Sequence, residues 1–237
     1  MHSRELRQVL VSDQVHPCSY LPGRLARLPL RMAFDLAPAQ FDDLLAQGDR
    51  RTGAFLYRTQ CPACQACQPI RLRVQEFEPR TTQRRTLRRG DALLSVTIGP
   101  PQVDRQRIDL YNLHRRLRGL DRGDGDIGES DYRDFLVETC CQTLELRYAE
   151  GDSLKAVAIA DLGEKSLSAV YCYFDPRYRA VSLGTYSVLK QVELCRAWGL
   201  DYLYLGLYIA ESPHMNYKAN FLPHERLIHG VWSRFDS

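Results

Sequence analysis

The sequence predicts an α+β fold: a mixed, mainly antiparallel sheet with helices, plus a small cysteine-bearing N-terminal region. Three observations lead there. Segments of helical and strand period alternate along 237 residues, 44% of them hydrophobic, enough for one large core or two modest ones. In the second half, three strand-like runs follow one another between helices, the last two joined by a turn at Gly163. In the first third, Cys61-Pro-Ala-Cys64-Gln-Ala-Cys67 sets three thiols at a spacing of three, with Cys18 upstream. Gly99-Pro100-Pro101 is the clearest punctuation and divides a cysteine- and arginine-rich region, residues 1–98, from residues 99–237.

Pro38 opens and Gly48 closes a short helix over 38–48. Residues 53–58 follow as a strand, with the cysteine triplet as its turn, stiffened by Pro62. Over 69–74, Ile70, Leu72 and Val74 alternate with Arg71 and Arg73, a half-buried strand whose other face carries arginine. Residues 79–89 make a basic helix ended by Gly90. Beyond the boundary, Ile108, Leu110, Tyr111, Leu113 and Leu117 give residues 102–118 an apolar helical face. The Gly/Asp-rich stretch 119–128 reads as a mobile or binding loop. A second helix is expected over 131–141, then strands at 144–148, 155–161 and 168–174. A helix over 185–198, its core face built from Val188, Leu189, Val192, Cys195 and Trp198, stops at Gly199 and leads into a strand at 202–205. This order is that of GCN5-related acyltransferase (GNAT) folds, so residues 99–237 are expected to form a GNAT-like catalytic domain.

No run of about 18 apolar residues exists, so no membrane span is expected. The first residues carry no signal-peptide pattern, and eight cysteines in such a chain fit a reducing, cytoplasmic setting where thiols bind metal or lie buried. Net charge is only +3, but four of the 32 basic residues are lysines and the rest are arginines. Arg71, Arg73, Arg80, Arg84, Arg85, Arg88 and Arg89 crowd together. Guanidinium forks suit phosphate and carboxylate, although an arginine excess also follows from a GC-rich genome.

Four segments together resemble the arginyl-tRNA–protein transferase family, specifically its shorter bacterial branch, the aspartate/glutamate leucyltransferases. They are Cys18-Ser-Tyr-Leu-Pro-Gly-Arg24, the stretch from Tyr57 through the triplet to Arg71, Ser182-Leu-Gly-Thr-Tyr-Ser187, and the stretch from Tyr202 through Glu211-Ser212 to Met215-Asn-Tyr-Lys218. The resemblance spans about residues 16–225. It implies transfer of leucine from leucyl-tRNA to the N-terminal amine of proteins beginning with Asp or Glu, marking them for degradation. It also implies a cysteine-bearing region packed on a GNAT-like domain. One departure concerns the thiols: the arginyl branch has a second cysteine three residues after the first and an adjacent pair downstream. Here Leu21 and a spaced triplet stand in those places. Cys18, Cys61, Cys64 and Cys67 still supply four thiols, which fit zinc, a [4Fe–4S] cluster, or a reduced and empty set.

Aminoacyl-tRNA is an activated ester and the acceptor amine has a pKa near about 8, so neither a covalent nucleophile nor a cofactor is required. The rate is expected from holding amine and ester together, with backbone amides at the oxyanion and a proton relay. Tyr208 and Glu211 are the relay candidates, against a packing tyrosine and a helix-terminal charge. Lys218 and then Arg24 are candidates to bind the acceptor's acidic side chain, against ordinary surface charges. Thr185 and Ser187 open a helix that lacks the glycine-rich pyrophosphate loop of coenzyme A users. They are candidates for a phosphate or the terminal ribose of tRNA, and coenzyme A is disfavoured. Arg84, Arg85, Arg88 and Arg89 are expected along the tRNA backbone, with C-terminal tyrosines stacking its unpaired end or packing in the core. His214 is singled out among three histidines, all of them expected at the surface. The rival readings are arginyl transfer by the same fold, an acetyl-coenzyme-A acetyltransferase, and a non-enzymatic zinc-bearing RNA-binding module.

Overall fold

The structure, a computed structural model, describes residues 6–121 and 123–237. The N-terminal region contributes strands β1 (Arg7–Ser12), β2 (Val15–Pro17), β3 (Leu25–Arg27) and β4 (Leu30–Phe34), helix α1 (Pro38–Ala46), and strands β5 (Arg50–Thr52) and β6 (Phe55–Tyr57). Strands β1, β4, β6 and β5 form an antiparallel sheet in that order, while β2 and β3 form a separate hairpin. Helix α1 buries Phe41, Leu44 and Leu45 against Ala33, Leu56 and Tyr204.

The main sheet takes its strands from both sides of Gly99-Pro100-Pro101. It comprises β7 (Gln68–Arg73), β8 (Ser95–Gly99), β9 (Gln142–Glu150), β10 (Ser153–Leu162), β11 (Ser166–Phe174), β12 (Tyr202–Tyr208), β13 (His224–Ile228) and β14 (Val231–Phe235). Their order is β14-β13-β7-β12-β11-β10-β9-β8. Every neighbouring pair is antiparallel except β11 and β12. The remaining helices are α2 (Thr81–Leu93), α3 (Arg105–Leu117), α4 (Glu129–Tyr132), which continues as a π turn to Val137, and α5 (Leu183–Ala197). Two helices, three antiparallel strands, a helix and a parallel strand thus follow one another as expected of a GNAT-like α+β fold.

Alternation along β10 divides the interior. Ala156, Ala158 and Ala160 face the large core beneath α5, while Val157 and Ile159 face α3 and α4. Arg51 and Asp161, both fully buried, lock the N-terminal region to β10 at 2.7 Å, and Thr143 donates to the second Asp161 oxygen at 2.7 Å. Arg71 is held by Glu225 at 2.7 Å and lies 4.0 Å over the rings of both Tyr202 and Trp232, which fastens the C-terminal hairpin.

Several elements depart from the sequence reading. Helix α2 runs through Gly90 to Leu93. That glycine marks a close crossing, because a Cβ there would come within 2.3 Å of the Tyr186 ring. The helix expected over 131–141 is shorter, since its last residues turn into β9 at Gln142. Strands β1 to β5, β8, β13 and β14 were not anticipated; they are short or at sheet edges, where alternation is too brief to show.

Candidate active site

β11 and β12 pair over only three residues, Ser166 to Ser168 with Tyr202 to Tyr204. β11 then runs on to Phe174 and β12 to Tyr208 without pairing to each other, so the sheet splits. β12 bulges against β7 between Tyr204 and Gly206, and Gly206 takes φ +91, a left-handed backbone that glycine alone adopts without strain.

Arg50 enters this split from β5. It is 8% exposed, and one guanidinium nitrogen donates to the Ala169 carbonyl of β11 at 3.0 Å. On the β12 side, a Cβ on Gly206 would lie 3.0 Å from the same guanidinium, so the glycine makes room for it. Its other terminal nitrogen is sealed from solvent and has no hydrogen-bond partner among the described residues. Burial holds the Tyr57 hydroxyl above its ordinary range, although the nearby Arg50 charge pulls it down.

Lys218 reaches the same place from a 3₁₀ turn, Asn216–Asn220. It too is 8% exposed, and its Nζ donates to the Leu207 carbonyl at 2.8 Å, with the Met215 sulfur at 3.7 Å. Burial, and then the positive charge of Arg50, bring its pKa down to about 7. A lysine in this state is divided between charged and neutral forms near neutral pH.

Beside the split, residues far apart in sequence converge. Arg24 donates to both carboxylate oxygens of Glu211, at 2.8 and 3.1 Å, and to the Cys64 sulfur at 3.3 Å. That contact and the Ala66 amide hold the Cys64 thiol below its ordinary pKa, the amide having the larger effect. Cys18 accepts from the Tyr20 amide at 3.4 Å. Burial pushes the Cys67 thiol up to about 12, helped by Cys61, Cys18 and Cys64, so the four thiols share one neighbourhood. Among the described residues no three Cys, His, Asp or Glu side chains are drawn together closely enough to hold a metal as they stand. The donors are nevertheless all soft sulfur, the chemistry zinc and iron–sulfur clusters require.

The other sequence candidates are distributed as follows. Tyr208 ends β12 with its ring under the Arg226 guanidinium at 4.6 Å. Thr185 is half-buried and accepts from the Ser182 hydroxyl at 3.2 Å. Ser187 faces the core, where Tyr148 and Gln191 each donate to its hydroxyl at 3.1 Å, so it is turned away from any ligand. Arg84, Arg85, Arg88 and Arg89 are all exposed on α2; Arg84 folds back to the Pro79 carbonyl at 2.6 Å. Of the three histidines, His114 and His224 are buried rather than superficial. His114 is brought down to about 4 by burial, and its ring nitrogen receives the Phe174 amide at 3.2 Å. Sequence reasoning missed Arg50, which sits beside a second arginine in an unremarked strand. Gly206, a glycine inside a strand, was the signal that something approaches the backbone there.

Residues 16–85 match the model of the arginine-tRNA-protein transferase N terminus, and residues 106–228 that of its C terminus. This chain belongs to the arginine-tRNA-protein transferase family. Similar relatives named aspartate/glutamate leucyltransferase occur in Thiobacillus denitrificans, 37% identical over 94% of this chain and 92% of that one. Another, in Vibrio campbellii, is 39% identical over 92% and 93%. Two solved structures resemble this transferase more distantly. L-PGS from Bacillus licheniformis aligns at a TM-score of 0.45 and 8% identity, covering 61% of this chain and 47% of that one. FemX aligns at 0.44 and 8%, covering 85% and 79%. At these scores the fold rests on the strand order itself. The transferase is an aminoacyl-transferring enzyme, and its split sheet, lined by two buried cations, is the candidate for where that chemistry occurs.

Proposed function

We propose that this transferase moves leucine from leucyl-tRNA to the N-terminal α-amine of proteins beginning with Asp or Glu. The observation that carries the reading is similarity along more than nine-tenths of the chain to proteins named for that transfer. The split between β11 and β12 supports it. An extended substrate can lie between strands whose backbone groups are not spent on each other, and free amides there can receive the developing oxyanion. Lys218, expected from the sequence to bind a carboxylate, is better suited to moving a proton. Its neutral form accepts the proton lost by the acceptor ammonium, the freed amine attacks the ester carbonyl, and the tetrahedral intermediate collapses. The peptide bond forms as the ester bond to the ribose breaks, the attacking nitrogen's second proton passes to the departing ribose oxygen, and the Lys218 ammonium returns its own proton to solvent.

Arg24 and Glu211 are occupied with each other, which favours a role in closing the site over one in relaying protons. The α2 arginines suit the tRNA backbone. Cys18, Cys61, Cys64 and Cys67 would hold one soft metal or cluster, which would fix the Cys18 loop and the triplet against the end of β12. Among the described residues no helix is long and apolar enough to cross a membrane.

The test is a transfer assay with leucyl- and arginyl-tRNA and peptides beginning with Asp, Glu, Arg or Ala. The same preparation is assayed for zinc, iron and visible absorption. Leucine appearing on the Asp and Glu peptides alone is the expected result. Arginine transfer would overturn the donor, and binding of tRNA without transfer would overturn the reading altogether. A colourless, metal-free and active protein would remove the cofactor.

A further inference from the structure

We propose that Arg50 is the specificity residue of this transferase: its guanidinium, inserted between the parted strands β11 and β12, forks onto the acidic side chain of the acceptor. This deepens the function proposed above and rests on it.

The argument starts from charge. A buried cation is ordinarily paired, because a guanidinium or ammonium withdrawn from water without a partner is costly. The other buried arginines obey this. Arg51 meets Asp161 at 2.7 Å, Arg71 meets Glu225 at 2.7 Å, and Arg107 meets Glu145 at 2.6 Å. Arg50 is the exception among the described residues. Its guanidinium donates to the Ala169 carbonyl at 3.0 Å, and its terminal nitrogen Nη1 is buried with no partner among the described residues. Lys218, whose Nζ meets a carbonyl and a sulfur, adds a second buried cationic group within electrostatic reach and likewise brings no carboxylate. Two such groups at the inner end of a split sheet form a site for an anion supplied from outside.

Geometry selects the anion. The guanidinium is planar and presents parallel N–H donors, which match a carboxylate on both oxygens. It lies inside the split, close against Gly206, rather than on an open face. A side-chain carboxylate on a short apolar stem suits such a confined place better than a hydrated backbone phosphate, for which exposed arginines stand ready on α2. An acceptor whose carboxylate meets Arg50 would bring its α-amine toward Lys218, one residue reading the side chain and the other handling the proton. Asn and Gln, which offer one neutral oxygen and an N–H₂ group that opposes the fork, would leave the buried charge unanswered.

The experiment compares wild type, Arg50→Gln and Arg50→Lys in leucyl transfer to matched peptides beginning with Asp, Glu, Asn or Gln. The leucyl-tRNA is saturating, and its KM and the folded state by circular dichroism are measured alongside. Wild-type transfer to the Asp and Glu peptides comes first, and its absence overturns the function on which this inference rests. Given that transfer, Arg50→Gln is expected to lower kcat/KM for Asp and Glu peptides about a hundredfold while sparing Asn and Gln, so that the Asp-to-Asn ratio collapses. Arg50→Lys, which keeps the charge without the fork, falls between. Should Arg50→Gln fail to fold, the Lys variant decides: a ratio lowered about tenfold supports the assignment. A ratio unchanged in the folded variants, an equal loss on every peptide, or a raised KM for leucyl-tRNA with the ratio intact overturns it.

Discussion

Lys218 and Arg50 show how one side chain sets the state of another. The Lys218 pKa of about 7 stands below the ordinary 10.5, so between those values the unfolded chain binds a proton that the folded chain does not. Stability must therefore rise with pH across that window, by up to roughly 1.4 kcal/mol per unit, and be flat in this respect below about pH 7. Lys218→Met removes the effect. Wild type is expected to gain about 2 kcal/mol over the variant between pH 7 and 9 in denaturant titrations. Transfer by wild type should rise through about pH 7 and be nearly abolished in the variant. Equal pH dependence of the two proteins would show that Lys218 stays charged when buried. The sequence made Lys218 visible through its motif, whereas Arg50 and Arg51 look identical there. Adjacent strand residues point opposite ways, so one arginine meets Asp161 and the other enters the split. That difference belongs to the partners, which come from over 100 residues away.

At the scale of elements, long periodic segments were legible and short ones were not. Helices α1, α3 and α5 carry enough turns for their apolar faces to repeat, and β9 to β11 have enough residues to alternate. The three-residue strand β5 has too few positions to show a period, yet it delivers Arg50. Punctuation by glycine was read as termination at Gly90, where the real demand is proximity to Tyr186. The same demand operates at Gly206. Gly206→Ala would strain a backbone at φ +91 and press its methyl within 3.0 Å of the Arg50 guanidinium. A loss of about 1–3 kcal/mol is expected in denaturant titrations, together with a fall in Asp-peptide transfer larger than the folded fraction explains. A fully active Gly206→Ala variant would mean that Arg50 has slack in the split.

For the molecule as a whole, the decisive feature is that β7 lies between β12 and β13. The Gly99-Pro100-Pro101 boundary separates two stretches of sequence, but the sheet draws on both. Residues 99–237 expressed alone would expose the long edge of β12 and bury nothing against Ile70 and Leu72, which are fully buried in the intact protein. That fragment is expected to be insoluble or to lack a cooperative unfolding transition, whereas the full chain should unfold as a unit. A fragment that melted cooperatively would show β7 to be dispensable. Boundary residues report where the chain turns, and strand insertion across a boundary has no local signature.

This arrangement also bears on the order of events during synthesis. On the ribosome, β7 leaves the exit tunnel long before β12 and β13, its partners on either side, have been made. Arg50 emerges earlier still and waits for Ala169, Gly206 and Lys218. The central sheet therefore closes only once residues through β13 are available, and a chain terminated before them has no assembled site with which to transfer an amino acid to another protein's N-terminus.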